Sequence, residues 1–328
     1  MNKESQNSLQ NLLFQRVQES IPPHCSLVDE LSELLKISND SVYRRLRNET
    51  MLSINEVGII CKQYSISFDS ISKSDSTSVV CNYALLRNEQ DLVQHLTFMS
   101  KELDLYKSLP DAHITYAAID IPIFHHFEFK ELTTFKIYYW LRSVINDENF
   151  SDIKYNSNLV SEEHMKLYKH MFNTYNSCNV TEIWTDSTIK SLIKQIDFFW
   201  ESGMFENKED AILICKQAEE EIIQIQKQAE KPITKDNGHI NKLYFSEIEL
   251  GNNSILAKWG SNKRTYLTYN TINILISSNN GFCNETEIWQ QNLIKKSTLI
   301  SGASEKIRYQ FFKRLLDDIG LLRKKIES

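Results

Sequence analysis

Between Asn39 and Arg47 a short helical run carries Asn39, Ser41, Arg44, Arg45 and Arg47 outward, against only two apolar residues, Val42 and Leu46, one turn apart. These residue types can read nucleic acid. The arginine fork matches guanine O6 and N7, and an asparagine amide matches adenine N6 and N7. A helix with so narrow an apolar side and a polar, basic outer side suits insertion into a major groove.

The surrounding elements would position that helix. Ser26 with Asp29 three residues on marks a helix start, and Leu27, Leu31, Leu34 and Leu35 supply one apolar face. Ile37 follows the turn, and Ser38 or Asn39 caps the next helix. Asn48 ends it, since Asn tolerates the left-handed conformation. Ser53 then caps a helix whose Ile54, Val57, Ile60 and Cys61 are expected to close a small core. The amphipathic run Leu9 to Glu19 would be the first helix.

The segment resembles the lambda-repressor/Cro-like helix-turn-helix superfamily. The resemblance rests on Glu30-Leu31-Ser32, on Ile37-Ser38-Asn39-Asp40-Ser41-Val42-Tyr43-Arg44, on Ser53-Ile54 and on Ile66-Ser67-Phe68-Asp69-Ser70-Ile71. The turn position usually held by Gly is Lys36, and Val28 stands where a phosphate-holding polar residue is common. The resemblance implies base-facing roles for Asn39, Asp40 and Arg44, and backbone contacts near Ser41, Arg45 and Arg47. Tyr43 joins this DNA-facing set. Residues 1–75 hold eight Lys/Arg against ten Asp/Glu, a net charge of −2. Phosphate neutralisation dominates DNA affinity, so a dimer, which doubles the contacts on a two-fold site, is the expected binding form.

The rest of the 328 residues announces no chemistry so plainly. Length implies two or three domains. With 8 Gly and 5 Pro, and neither GxGxxG nor GxxxxGK[ST], a Gly-rich nucleotide-binding architecture is not expected. No apolar run approaches about 18 residues, so no membrane span is expected. The N-terminus is polar and the six cysteines are scattered without a CxxC pair. Both point to a cytoplasmic protein with reduced thiols rather than a disulfide frame or a zinc site.

The expected fold class is mainly α. It comprises a helix-turn-helix domain over 1–71, a Ser-rich linker over 72–78 and a helical domain over 79–231. A small α+β domain over 239–328 follows, with an antiparallel three-stranded meander and two helices. Val79 to Ser108 reads as one long helix, a dimerisation element or the first helix of the next core. Pro232 to Gly238 reads as a break, and the strands are expected at Leu243 to Leu250, Ser254 to Trp259 and Arg264 to Tyr269.

Other chemistry reads as weaker. His125-His126 beside Asp120 and Glu128, with His164 and His170 further on, is the best metal candidate. Adjacent histidines on a strand would point to opposite faces. Cys178 and Cys215 show no partner for a nucleophile. Glu219-Glu220-Glu221 reads as a solvated helix face, and the tryptophans as core anchors. No catalytic residue, cofactor or metal is assigned.

The expected function is a sequence-specific regulator of transcription. It binds double-stranded DNA as a homodimer, and its C-terminal region dimerises, with the sensing of a small-molecule or protein effector as an open role. The alternative is a protein-interaction scaffold or antitoxin-like protein with a degenerate helix-turn-helix. A third reading is an enzyme with a DNA-binding appendage.

Overall fold

The computed structural model describes residues 8–21, 25–64, 66, 68, 71, 79–109, 111–231 and 240–328. The expected linker over 72–78 and the break at Pro232 to Gly238 lie outside them. Contacts divide the chain into two compact units, Met1–Asn82 with Ser277–Gly281, and Tyr83–Ile276 with Phe282–Ser328.

The first unit begins with four helices, α1 (Leu9–Ser20), α2 (Leu27–Leu35), α3 (Asn39–Leu46) and α4 (Ile54–Gln63). Each starts at a serine, Ser8, Ser26, Ser38 or Ser53, whose hydroxyl accepts a backbone N–H of the first turn. Leu13, Phe14, Val17, Leu31, Val42, Ile60 and Ile71 form its buried core. Ile54, expected in that core, is 87% exposed, because it occupies the first position of α4 and faces away.

In the second unit the long helix is shorter than expected. α5 runs Glu89–Ser108, because Asn88 caps it by accepting the Asp91 N–H at 2.9 Å. Its buried Leu92, Leu96, Leu103 and Tyr106 make it a core helix. The chain continues through β1 (His113–Ala118), α6 (Ile123–His126), α7 (Lys130–Tyr139), a π-helical turn over Trp140–Ile145 and α8 (Glu162–Tyr175). Next come β2 (Val180–Trp184), α9 (Lys190–Glu201), α10 (Lys208–Glu230) and β3 (Asn241–Phe245). The last stretch holds β4 (Ser254–Trp259), β5 (Asn262–Tyr269), β6 (Asn273–Ser277), α11 (Asn280–Lys295), β7 (Thr298–Leu299) and α12 (Glu305–Glu327).

These strands correct the expected fold class. They form one seven-stranded mixed sheet in the order β6-β5-β4-β1-β2-β3-β7, an α/β arrangement rather than a mainly α chain with a small meander. β1, β2 and β3 are parallel, with Ile114 opposite Val180 and Val180 opposite Asn241. Parallel neighbours need long crossovers, and helices supply them: α6 to α8 between β1 and β2, α9 and α10 between β2 and β3. β3 therefore does not pair with β4 as a meander requires. It lies between β2 and β7, while β4 runs antiparallel to β1 on the other side. Only the β4–β5 hairpin matches the expected antiparallel pairing. It turns at Gly260-Ser261, where Gly260 adopts φ +53° as such a tight turn demands. The sheet draws strands from both sides of the 231/239 boundary expected from the sequence.

Alternation along the central strands sorts side chains into two layers. Ile114, Tyr116, Ala118, Val180 and Trp184 join the main helical core. Ala117 and Ile183 turn to the other face, beneath Leu293 of α11. α12 packs along α10 and α9 through Phe311, Leu315, Ile319 and Leu322, and Arg323 and Lys325 pair with Glu219 and Asp197 at the edge.

Candidate functional sites

The α2–α3 turn of the first unit is built by a left-handed residue. Lys36 takes φ 54°, ψ 44°, so the Ile37 N–H reaches back to the Ser32 carbonyl at 3.2 Å and the Lys36 N–H to that of Glu33 at 3.4 Å. This is a Schellman ending. Ser32 Oγ, donating to the Ile37 carbonyl at 2.6 Å, tightens it. At the far end of α3, Asn48 takes φ 58°. Gln10 of α1 fastens that end. Its Nε2 donates to the carbonyls of Arg45 (2.7 Å) and Thr50 (3.1 Å), and its Oε1 accepts the Leu52 N–H (2.7 Å). Sequence reasoning passed over Gln10, because nothing local marks a glutamine whose partners lie 35 to 42 residues away.

The seven expected DNA-facing residues do not all share one environment. Asn39, Asp40, Tyr43 and Arg44 are exposed along α3, and Ser41 is half-buried beside Ser38. Asn39 Nδ2 donates to Asp29 at 3.2 Å, and Arg44 lies 3.8 Å from Asp40 with both side chains well solvated. Arg45 turns inward: its Nη2 donates to Glu56 Oε1 at 2.7 Å and its Nη1 to the Ser41 carbonyl at 3.1 Å. Burial pushes the Glu56 carboxyl up, but bonds from Ser53 and the charge of Arg45 outweigh it and leave the group below the usual carboxylate range. Arg47 is exposed and pairs with Glu49 at 2.8 Å.

In the second unit the histidine pair is helical, not extended. His125 and His126 sit in α6, both buried, and each takes its own carboxylate. His125 Nε2 lies 2.9 Å from Glu182 Oε1, which also accepts from Tyr175 at 2.6 Å, while Trp184 Nε1 donates to Glu182 Oε2 at 2.8 Å. His126 Nδ1 lies 2.8 Å from Glu221 Oε1. Glu221 is thus interior at 2% exposure, a correction to the expected solvated carboxylate run. Burial pushes His125 down, but Glu182 overrides it and raises the imidazole above its ordinary value, while His125 in turn helps to hold Glu182 low. The adjoining cavity, lined by His125, Tyr175 and Glu182, is about 60 Å³. That admits water, not an organic ligand. His170 pairs with Asp104 at 2.9 Å instead of joining the pair. Among the described residues no group of three or more His, Cys, Asp or Glu could hold a metal. Burial pushes the Cys178 and Cys215 thiols up to about 11 and about 12, away from nucleophilic readiness.

A larger crevice, about 740 Å³, opens outside the carboxyl ends of β1 and β2. That is where open α/β sheets bind ligands. Topology explains it. β3 and β4 stand three strand spacings apart, about 14 Å, yet the eight residues 246–253 join them at that end. Eight residues reach about 26 Å, so the connection has slack to bow over the strand ends. It supplies Glu249 to Asn253, and Asp120 and Thr185, just past the ends of β1 and β2, line the crevice together with Ser191 and Gln195 of α9. Set against protein-family models, curated proteins and solved structures, the chain matches none.

Proposed function

We propose that the chain is a sequence-specific DNA-binding regulator of transcription. It works in the cytoplasm as a homodimer and is not an enzyme. The observation that carries this reading is the exposed ridge Asn39, Asp40, Tyr43 and Arg44 on α3, beyond a left-handed turn at Lys36. A short helix held by one fully buried residue, Val42, leaves most of its surface for a groove. Arg44 is the base reader, since its guanidinium is solvated and only loosely held by Asp40. Arg47 serves the phosphates once it exchanges Glu49 for the backbone. Arg45 braces α3 against α4. Among the described residues no helix is long and apolar enough to cross a membrane.

The test is salt-dependent binding of the full-length protein to duplex DNA. Affinity should fall steeply with salt on all sequences and retain a sequence-specific excess. A second reading, a protein-binding module, is favoured by the exposed Met51 (65%) and Ile54 (87%) just after α3. It predicts no retained duplex at any salt and a partner that contacts these two side chains.

A further inference from the structure

We propose that the crevice outside the ends of β1 and β2 binds a small, uncharged polyhydroxylated ligand of the free sugar or cyclic polyol class. Its volume of about 740 Å³ lies in the range of small-molecule sites. Its charges do not suit an ion. Asp120 and Glu249 line it against Lys194, with the Lys136 ammonium beneath it under the pull of Asp120, so an anion and a cation each meet like charge. The Asp120 Oδ1 atom is buried with no hydrogen-bond partner among the described residues. That oxygen is sealed from solvent on the side where Lys136 lies, and the half-buried carboxylate as a whole lines the crevice, where it can accept from a ligand hydroxyl.

Another part of the lining is arranged to donate. Lys136 Nζ, buried beneath, gives a hydrogen bond to Gln195 Oε1 at 2.7 Å, and Gln195 Nε2 gives one to Ser191 Oγ at 2.9 Å. Ser191 accepts from the protein and keeps its own proton for a ligand oxygen. A site that holds both a carboxylate acceptor and an oriented hydroxyl donor matches groups that both give and take hydrogen bonds. Phe198 stays 61% exposed at the same crevice, an apolar ring placed for the C–H face of a cyclic polyol. The proposal does not depend on what the first unit binds.

Saturation-transfer NMR on the full-length protein tests it, with D-glucose, D-galactose, D-mannose, D-ribose, sorbitol and myo-inositol offered singly. Gluconate and glucosamine serve as charged counterparts. At least one neutral compound is expected to receive saturation, and Asp120→Asn should weaken it about tenfold or more. Phe198→Ala, an exposed position whose loss the fold tolerates, should weaken it as well. Three results would overturn the proposal: no transfer to any neutral compound, transfer that survives both substitutions, or tighter binding of a charged counterpart.

Discussion

Arg45 and Glu56 form a 2.7 Å ion pair with only 15% and 17% of their side chains exposed, so an arginine of the expected DNA face instead joins α3 to α4. Glu56 also closes the α4 capping box by accepting the Ser53 N–H at 2.7 Å. One carboxylate therefore fixes a helix start and the angle between two helices.

Glu56→Ala should destabilise the first unit by about 1–2 kcal/mol, the cost of a lost cap and a stranded partner. Urea unfolding followed by circular dichroism reads it. The folded carboxyl lies below its ordinary 4.5. Its contribution is therefore present above that pH and lost as pH falls through the folded value. A loss unchanged at acidic pH would contradict this account of the pair.

Lys36 occupies a left-handed position that costs an L-residue energy and a glycine none. Lys36→Gly should raise the stability of the first unit by up to about 1 kcal/mol, after allowing for the freer unfolded chain. A lower midpoint in the same unfolding experiment would mean that the turn is not held in this geometry.

His125 and Glu182 should stabilise the second unit within a defined pH window. The raised histidine contributes fully below its ordinary 6.5 and loses that contribution as pH rises through the folded value. The lowered carboxylate contributes above its ordinary 4.5 and loses that contribution as pH falls. The pair is therefore worth most between these two values. Glu182→Gln should remove the loss of stability between pH 6 and pH 8 that the raised histidine gives wild type.

Burial pushes the Lys136 ammonium down to about 8 from 10.5, with Asp120 and Glu221 pulling the other way. The sign is opposite to that of His125. The cost is complete below pH 8 and is relieved as pH rises toward 10.5, a change of about 3 kcal/mol. Lys136→Met should therefore be more stable than wild type at pH 7, and the gap should narrow through that range. Parallel pH profiles of the two proteins would contradict the burial argument.

What the sequence disclosed and what it hid separate by range. The serine caps at Ser26, Ser38 and Ser53 and the left-handed Asn48 are local signals, and each lies where the residue types put it. The sheet was hidden because β2 is five residues, Val180 to Trp184, buried at every position and so without alternation. β3 looked like part of a meander because its true neighbour, β2, lies some 60 residues earlier. Glu221 read as solvated because His126, 95 residues away, is what buries it. The crevice draws on β1, β2, α9 and the β3–β4 connection, which no sequence window contains.

The central claim is that α3 reads bases through Arg44 while Arg45 acts on structure. The direct measurement is selection of genomic fragments by full-length protein, sequenced at two salt concentrations, with Arg44→Ala and Arg45→Ala alongside. The account predicts a recurrent two-fold motif. Arg44→Ala should lose about 1–3 kcal/mol at one base pair of it with unchanged unfolding, and Arg45→Ala should lower stability. No enriched motif at either salt, or equal loss on every sequence for Arg44→Ala, would contradict it and shift weight to a protein partner at Met51 and Ile54.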